Sequence, residues 1–152
     1  MSTYSRRDLS LLLPALAAGA SSGASAQQNA EPKAPPKKLP SKVYVFEDLT
    51  AKQNGQNVGR AVLNGGTHTG YAVEMHITEL GPGQAPHPPH RHVHEELLML
   101  QTGQLEVTMN GETRRLTPGS VVFVASNDLH GWKNPGTTPA QYFVIALGGD
   151  AA

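Results

Sequence analysis

The chain has 152 residues, with 12 basic and 12 acidic side chains, seven histidines and no cysteine. The balanced charge gives no basic footprint for nucleic acid or for an anionic membrane surface. Without cysteine, disulfides, thiolate metal sites and cysteine nucleophiles are all excluded. The 16 glycines and 12 prolines favour a fold of many short strands and tight turns over a helical bundle.

The N-terminal segment, residues 1–26, reads as an export signal. Arg6 and Arg7 precede an apolar run over residues 11–20, and small residues follow. This pattern resembles a twin-arginine signal, which implies cleavage after residue 26 and a periplasmic or otherwise exported protein. A membrane anchor is the alternative, but a spanning helix needs about 20 apolar residues, and this run is shorter and contains Pro14. We therefore expect no stable membrane span after signal removal.

The next segment, residues 27–41, is rich in proline and lysine and has no apolar period. Such a composition is typical of an extended, disordered linker. The folded domain is predicted to span residues 42–149, a length sufficient for one hydrophobic core but not for two.

Short apolar or alternating segments, separated by turn residues, follow one another along this domain and predict strands. They are Val43–Phe46, Arg60–Leu63, Tyr71–Thr78, Glu96–Gln101, Leu105–Met109, Glu112–Leu116, Val121–Ala125, His130–Lys133 and Gln141–Leu147. Asn110-Gly111 is the strongest hairpin signal among the turns.

These strands predict an all-β fold, because residues after 41 contain no convincing helical period. Closing the sheet into a barrel would remove its exposed edges and leave an interior for one small ligand or ion.

Four histidines lie within eight residues, at positions 87, 90, 92 and 94, and Glu96 follows them. Imidazole and carboxylate at this density are typical of a site for a first-row metal ion. On an extended segment, residues two apart point the same way, so His90, His92 and Glu96 can share a face. Surface histidines on a polar loop are the alternative.

The spacing His90-x-His92-x3-Glu96, with Gly103 seven residues later, resembles the first motif of the cupin superfamily. That motif is a histidine pair, then a glutamate, then a glycine. The hairpin between residues 102 and 118 corresponds to the short gap between the motifs of small cupins.

A second stretch resembles the second cupin motif. Gly119, His130 and Asn134 fit it, while Ala125 and Asn127 stand where the family usually has proline and glycine. The resemblance covers nearly all of residues 70–147, and it implies a single cupin barrel of the jelly-roll type.

The cupin resemblance implies a metal site made by the two histidines and the glutamate of the first motif and the histidine of the second. Carried over to this chain, the ligands are His90, His92, Glu96 and His130. Three imidazoles and one carboxylate suit Fe, Mn, Co, Ni, Cu or Zn. A twin-arginine signal would export a protein already folded with its metal, which favours Mn or Fe over the stronger binders Cu and Zn.

Neighbouring polar residues are open to two interpretations. His94 is expected to point away from the ion, although on a regular strand it would crowd the ion, and His87 is expected to belong to the loop. Glu74 and His76 are expected on the solvent-facing surface of their strand; if His76 faced the cavity instead, it could act as a general base.

Other side chains near the motifs are given structural expectations. Leu98 and Leu100 should line the barrel floor, and Trp132 should either wall the pocket or pack in the core. Arg91 is expected to face outward, and Asn134 is expected to fix a turn.

The function implied by the resemblance is a metal-dependent cupin. A dioxygenase-type oxidoreductase acting on a small oxygen-bearing substrate is favoured, because the predicted lining is apolar. The alternatives are a decarboxylase or isomerase, and a non-catalytic metal- or ligand-binding module. A homodimer is also expected, since small cupins pair through N-terminal strands and Val43–Phe46 is an apolar edge strand.

Overall fold

The computed structural model describes residues 36–148. A 3₁₀ helix, Phe46–Asp48, precedes nine strands: β1 Lys52–Asn54, β2 Asn57–Gly66, β3 Ala72–Leu80, β4 Glu95–Thr102, β5 Leu105–Met109, β6 Glu112–Leu116, β7 Val121–Val124, β8 His130–Lys133 and β9 Ala140–Leu147. Across these residues, no helix has the length and apolar character needed to cross a membrane. The expected export signal lies outside the described residues.

The strands form two antiparallel sheets that pack as a jelly roll, which confirms the predicted all-β fold. The larger sheet has the order β1-β2-β3-β9-β4-β7, and the smaller sheet has the order β6-β5-β8. Consecutive strands are often not neighbours: β9 lies between β3 and β4, so the last strand of the chain occupies the centre of the larger sheet.

The core lies between the two sheets. Along β9 burial alternates, with Ala140, Tyr142, Val144 and Ala146 buried. Leu98 and Leu100 on β4 and Leu105, Val107 and Trp132 from the smaller sheet join the same buried cluster. Burying one such aliphatic side chain contributes about 1.5–3 kcal/mol. The predicted floor, Leu98 and Leu100, is therefore confirmed as buried.

The Asn110-Gly111 turn joins β5 to β6 as predicted. Both residues have positive φ, 49° and 91°, as the favoured two-residue hairpin turn requires. Met109 and Glu112 are the paired residues on either side of the turn.

The predicted strand Val43–Phe46 is wrong. Val43 to Val45 lie in no strand, and the 3₁₀ helix begins at Phe46. The segment instead lies over the outer face of the larger sheet, where Phe46 shares a groove with Met75 and Phe143. Tyr44 and Phe46 line this groove, whereas Val43 and Val45 are exposed and have no such contact to explain them.

One strand was missed by the sequence interpretation. β1 forms a hairpin with β2 in which Lys52 pairs with Gly59 and Asn54 with Asn57. The signal was the dipeptide Asn54-Gly55, and Gly55 indeed has a φ of 60°. β1 is fully exposed, so it has no apolar pattern to identify it.

The chain preceding Lys42 makes ordered contacts with β2. The N–H of Gly66 donates to the carbonyl of Lys37, and the N–H of Leu39 donates to the carbonyl of Gly66, both at 2.9 Å. The earlier part of the expected linker lies outside the described residues.

Candidate metal centre

The candidate site is assembled from three parts of the chain: the start of β4, the start of β8, and the loop that precedes β4. Two backbone hydrogen bonds join the loop to β8. His90 N–H donates to His130 O at 3.0 Å and His130 N–H donates to His90 O at 3.1 Å. This isolated antiparallel bridge brings the two predicted motifs together.

Glu96 is the centre of the cluster. Its Oε2 atom lies 3.1 Å from Nε2 of His92 and 3.2 Å from Nε2 of His130. Glu96 is 7% exposed and His130 is fully buried. A carboxylate buried at such low exposure requires compensation by positive charge or strong donors.

In His92 and His130, the ring nitrogen that does not face Glu96, Nδ1, lies against a backbone carbonyl. Nδ1 of His92 lies 2.8 Å from the carbonyl oxygen of His94, and Nδ1 of His130 lies 2.9 Å from that of Asp128. Because a carbonyl only accepts, Nδ1 carries the proton in the neutral rings and Nε2 presents its lone pair towards Glu96. Both imidazoles are therefore oriented as metal-ligating histidines usually are.

His90 completes a set of three imidazoles with His92 and His130, in which one nitrogen from each ring lies within 4.8 Å of the others. Burial, and then the neighbouring imidazole of His87, lower the pKa of His90, so the ring favours its neutral form. Neutral imidazole is the form that coordinates a metal.

Nδ1 of His90 is buried and has no hydrogen-bond partner among the described residues. Nε2 of His130 lies 3.2 Å from Oε2 of Glu96 but makes no hydrogen bond to it or to any other described residue. Buried polar atoms of this kind are rare and need an explanation, such as an ion. The donor set and its unpaired nitrogens would suit a metal ion, which His90, His92, Glu96 and His130 could bind together.

His94 differs from its expected orientation. Its ring stacks on that of His92, with centroids 3.6 Å apart and planes within 9°. A ligand atom of His94 also lies within 4.8 Å of those of His92 and Glu96. The expectation that His94 points away from the site is therefore wrong, although the chain before Glu95 is irregular as assumed.

His87 lies in the loop as expected, but its ring is not isolated. It packs edge-on against His90 at 4.2 Å and against Trp132 at 5.7 Å between centroids. Arg91 is exposed and donates to the carbonyl of Asn127, so it faces outward as expected.

Trp132 both packs in the core and supports the site. It is 5% exposed, and its ring lies 5.8 Å from that of His130 in a stacked arrangement. Its Nε1–H donates to the hydroxyl of Tyr142 at 2.9 Å. Burial raises the pKa of Tyr142 to about 12, so the phenol remains protonated at neutral pH.

Asn134 fixes a turn, as expected. Its Nδ2 donates to the carbonyls of Leu80 and Thr138, and its Oδ1 accepts from the N–H of Gly136. These bonds satisfy a fully buried amide and leave it no role in the metal cluster.

Glu74 and His76 lie on the inner face of the larger sheet, so their expected solvent-facing position is wrong. Glu74 pairs with Ala146, and Ala146 pairs with Glu96 on the other side. Directly paired residues project from the same face of a sheet. Glu74 therefore shares its face with Glu96.

The sequence interpretation missed the two backbone carbonyls that orient the rings, those of His94 and Asp128. No side-chain pattern marks a carbonyl acceptor, so no sequence signal could have identified them. The ring contacts of His94 and His87 could not be predicted from the sequence either, because they depend on the path of an irregular loop.

A family model described as "Cupin domain" matches residues 76–146, a range that contains all four residues of the cluster. A comparison with curated proteins found no match. The sequence match places the cluster within a recognised domain, but gives no reaction.

Several solved structures share the fold. They include an RmlC-like cupin from Shewanella frigidimarina NCIMB 400 (20% identity, 72% of this chain and 94% of that chain, TM-score 0.60), KdgF from Halomonas sp. (17%, 73% and 97%, 0.62) and a predicted oxalate decarboxylase from Thermotoga maritima (17%, 70% and 98%, 0.58). At these identities the likeness establishes the fold alone. The family match and the shared jelly roll together support a small cupin whose three histidines and one glutamate could bind a metal ion.

Proposed function

We propose that this protein is a metal-dependent cupin enzyme that acts on a small oxygen-bearing organic substrate. One observation carries the proposal: Glu96 and the imidazoles of His90, His92 and His130 converge in a buried cluster that contains unpaired ring nitrogens. The metal, when bound, would supply Lewis acidity or a centre for dioxygen chemistry. Four protein ligands leave further positions on a six-coordinate ion for substrate.

We propose Mn or Fe as the native ion. The oxygen and nitrogen donors of the cluster accept any first-row divalent ion, and intrinsic affinity favours Cu and Zn. If the metal is loaded in the cytoplasm before export, the weaker binders Mn and Fe can compete better with Cu and Zn. Metal analysis of protein purified from the periplasm tests this, and stoichiometric zinc with full activity would contradict it.

A dioxygenase-type oxidoreductase is the reaction we favour. The walls near the cluster are apolar, with Leu98, Val124 and Trp132 all buried, which would exclude bulk water from a reactive centre. The test is oxygen uptake by Fe(II)- or Mn(II)-loaded protein over a panel of catechols, flavonols and small keto acids. The His92→Ala variant serves as the control for free metal.

A decarboxylase or isomerase is the second candidate, and it is favoured by a different observation. These reactions need a proton donor or acceptor apart from the metal ligands, and Glu74 and His76 lie on the inner face. Substrate turnover without oxygen uptake would select this candidate. Tight metal binding with no turnover in either assay would select the non-catalytic module.

Export by a twin-arginine signal and homodimerisation are also proposed. Substitution of Arg6 and Arg7 by lysine in a reporter fusion of residues 1–26 should abolish export if the signal is of this type.

The outer face of the larger sheet carries exposed Val121 and Phe123, as an interface between copies would require. Light scattering at increasing concentration tests the dimer.

A further inference from the structure

The inner face of the larger sheet carries a second titratable pair beside the metal cluster. Across β2, β3, β9 and β4, one row of paired residues contains Asn64, Glu74, Ala146 and Glu96. The next row contains Ala61, His76, Val144 and Leu98. Since neighbouring strands lie about 4.8 Å apart, the backbones of Glu74 and Glu96 are about 10 Å apart.

Glu74 orients the imidazole of His76. Nδ1 of His76 lies 3.1 Å from both carboxylate oxygens of Glu74. A carboxylate at Nδ1 fixes the proton there and stabilises the ring when it becomes positively charged. Nε2 of His76 makes no hydrogen bond to any residue of the described range, so its lone pair is available.

The pair is accessible, unlike the core beside it. The side chain of His76 is 36% exposed and that of Glu74 is 24% exposed, whereas Val144 and Leu98 in the row of His76 are at most 1% exposed. Only the small side chain of Ala146 separates Glu74 from Glu96 in their row. Glu74 and His76 therefore lie on the same side of the sheet as Glu96, two strands away from it.

An exposed carboxylate–imidazole pair on an outer sheet surface would need no functional explanation. The cross-strand register removes that interpretation, because His76 pairs with Val144 and Val144 pairs with Leu98, both core residues. The pair therefore lies on the inner face, beside buried core residues and in the sheet that carries Glu96.

We propose that Glu74 and His76 form a proton-transfer pair for a substrate bearing an ionisable hydroxyl group, such as a catechol or an enol. The proposal rests on the proposed function, because the substrate must be held at the metal cluster. Nε2 of His76 takes the hydroxyl proton, the O–H electron pair stays on the substrate oxygen, and the imidazolium is stabilised by Glu74. The proton returns by the reverse step. His76 is the catalytic residue and Glu74 is its positioning residue.

The first test reads the tautomer of His76 directly. In ¹⁵N-labelled protein, the imidazole shifts of wild type should show Nδ1 protonated and Nε2 unprotonated. The Glu74→Asp variant should retain this signature and Glu74→Ala should lose it, because only the first keeps a carboxylate. A signature unchanged in Glu74→Ala would overturn the positioning role of Glu74.

The second test reads proton transfer without turnover. Zinc-loaded protein is mixed with 4-nitrocatechol, whose visible absorption shifts on ionisation, at a pH at which the free probe is mostly protonated. Wild type should bind the ionised form. His76→Gln and Glu74→Gln should bind about tenfold less of it at equal zinc content, a factor equivalent to about 1.4 kcal/mol.

Glu79→Gln is the matched control, because Glu79 lies on the same strand but pairs with Gln141 on the outer face. It should behave as wild type, and thermal unfolding should show all variants folded. Equal amounts of ionised probe in wild type and in both inner-face variants would overturn the proton-transfer pair. Wild-type protein that binds no zinc would instead contradict the metal site itself.

Discussion

His90 and His130 are joined by a reciprocal pair of backbone hydrogen bonds, at 3.0 and 3.1 Å. The bonds use main-chain groups alone, so they hold the loop before β4 against β8 whether or not the imidazoles carry a ligand. Because the two histidines are 40 positions apart in sequence, this bridge pre-organises the cluster before any metal binds. Variants of the ligands should consequently lose metal without losing the fold.

His92→Ala is the most direct test of the cluster, since His92 is only partly buried and its removal leaves the bridge intact. Changes to residues that merely support metal ligands cost 10–100-fold in affinity, so loss of a ligand should cost at least about 100-fold. Metal content after gel filtration measures the effect. His68→Ala, an exposed histidine outside the cluster, should keep stoichiometric metal; retention by both variants would contradict the site.

The metal-free protein should lose stability in mild acid. Burial and His87 lower the pKa of His90 in the folded state, so the unfolded chain binds the proton more readily. This contribution is complete above the ordinary histidine pKa of about 6.5 and is lost as the pH falls through the lower folded-state value. Urea unfolding in EDTA between pH 8 and 5 should show the decline. His90→Gln should reduce the slope of the unfolding free energy against pH. An unchanged slope would show that His90 is not the cause of the decline.

The sequence predicted from spacing that His90, His92 and Glu96 could share a face. They do lie together, but the chain before Glu95 is irregular, so the path of the loop brings His90 and His92 to Glu96 and regular alternation does not. The distant His130 required the family resemblance. For Glu74 and His76 the sequence left two positions open and favoured the wrong one, because alternation divides a strand into two faces but does not say which face is inside.

On β3, the polarity of the side chains led to the wrong prediction of which face is buried. Met75 and Ile77 are apolar because residues 44–49 cover the outer face, where Phe46 and Leu49 line the same groove. Ile77 is only 4% exposed there. β3 thus has an apolar outer face and a largely polar inner face, the reverse of the usual arrangement. Only its pairing with β9 shows which of the two faces is the inner one. The same covering segment was mistaken for a strand at Val43–Phe46.

Two glycines of the motifs should differ in their tolerance of alanine. Gly103 and Gly119 both have positive φ, 78° and 91°, so each substitution costs about 1–2 kcal/mol in backbone strain. A Cβ on Gly103 would also lie 2.6 Å from the Cα of Ala140 and the carbonyl oxygen of Pro139, whereas Gly119 has open space. Overpacking adds about 1–3 kcal/mol.

Gly103→Ala should therefore have the lower free energy of unfolding of the two, measured by urea denaturation in EDTA. Gly119→Ala supplies the strain without the steric overlap and is the matched control. Equal destabilisation in the two variants would show that the turn at Gly103 can move away from Ala140, and that its glycine serves conformation alone.

The burial of the Tyr142 phenol should make stability depend on alkaline pH. Burial raises the pKa of Tyr142 to about 12, so folding favours the protonated phenol. The contribution is complete below the ordinary tyrosine pKa of about 10 and is lost as the pH rises through the folded-state value. Unfolding free energies measured from pH 8 upward should fall most steeply between the ordinary tyrosine pKa of about 10 and the folded-state value of about 12.

Tyr142→Phe separates the hydroxyl from the ring. It leaves the buried Nε1–H of Trp132 without its acceptor, which should cost about 1–3 kcal/mol at neutral pH, and it should flatten the decline above pH 10. Tyr71→Phe removes an exposed hydroxyl and should change neither quantity. Because Trp132 stacks on His130, metal affinity should also weaken in Tyr142→Phe. A variant with wild-type stability and affinity would mean that Trp132 holds His130 by packing alone.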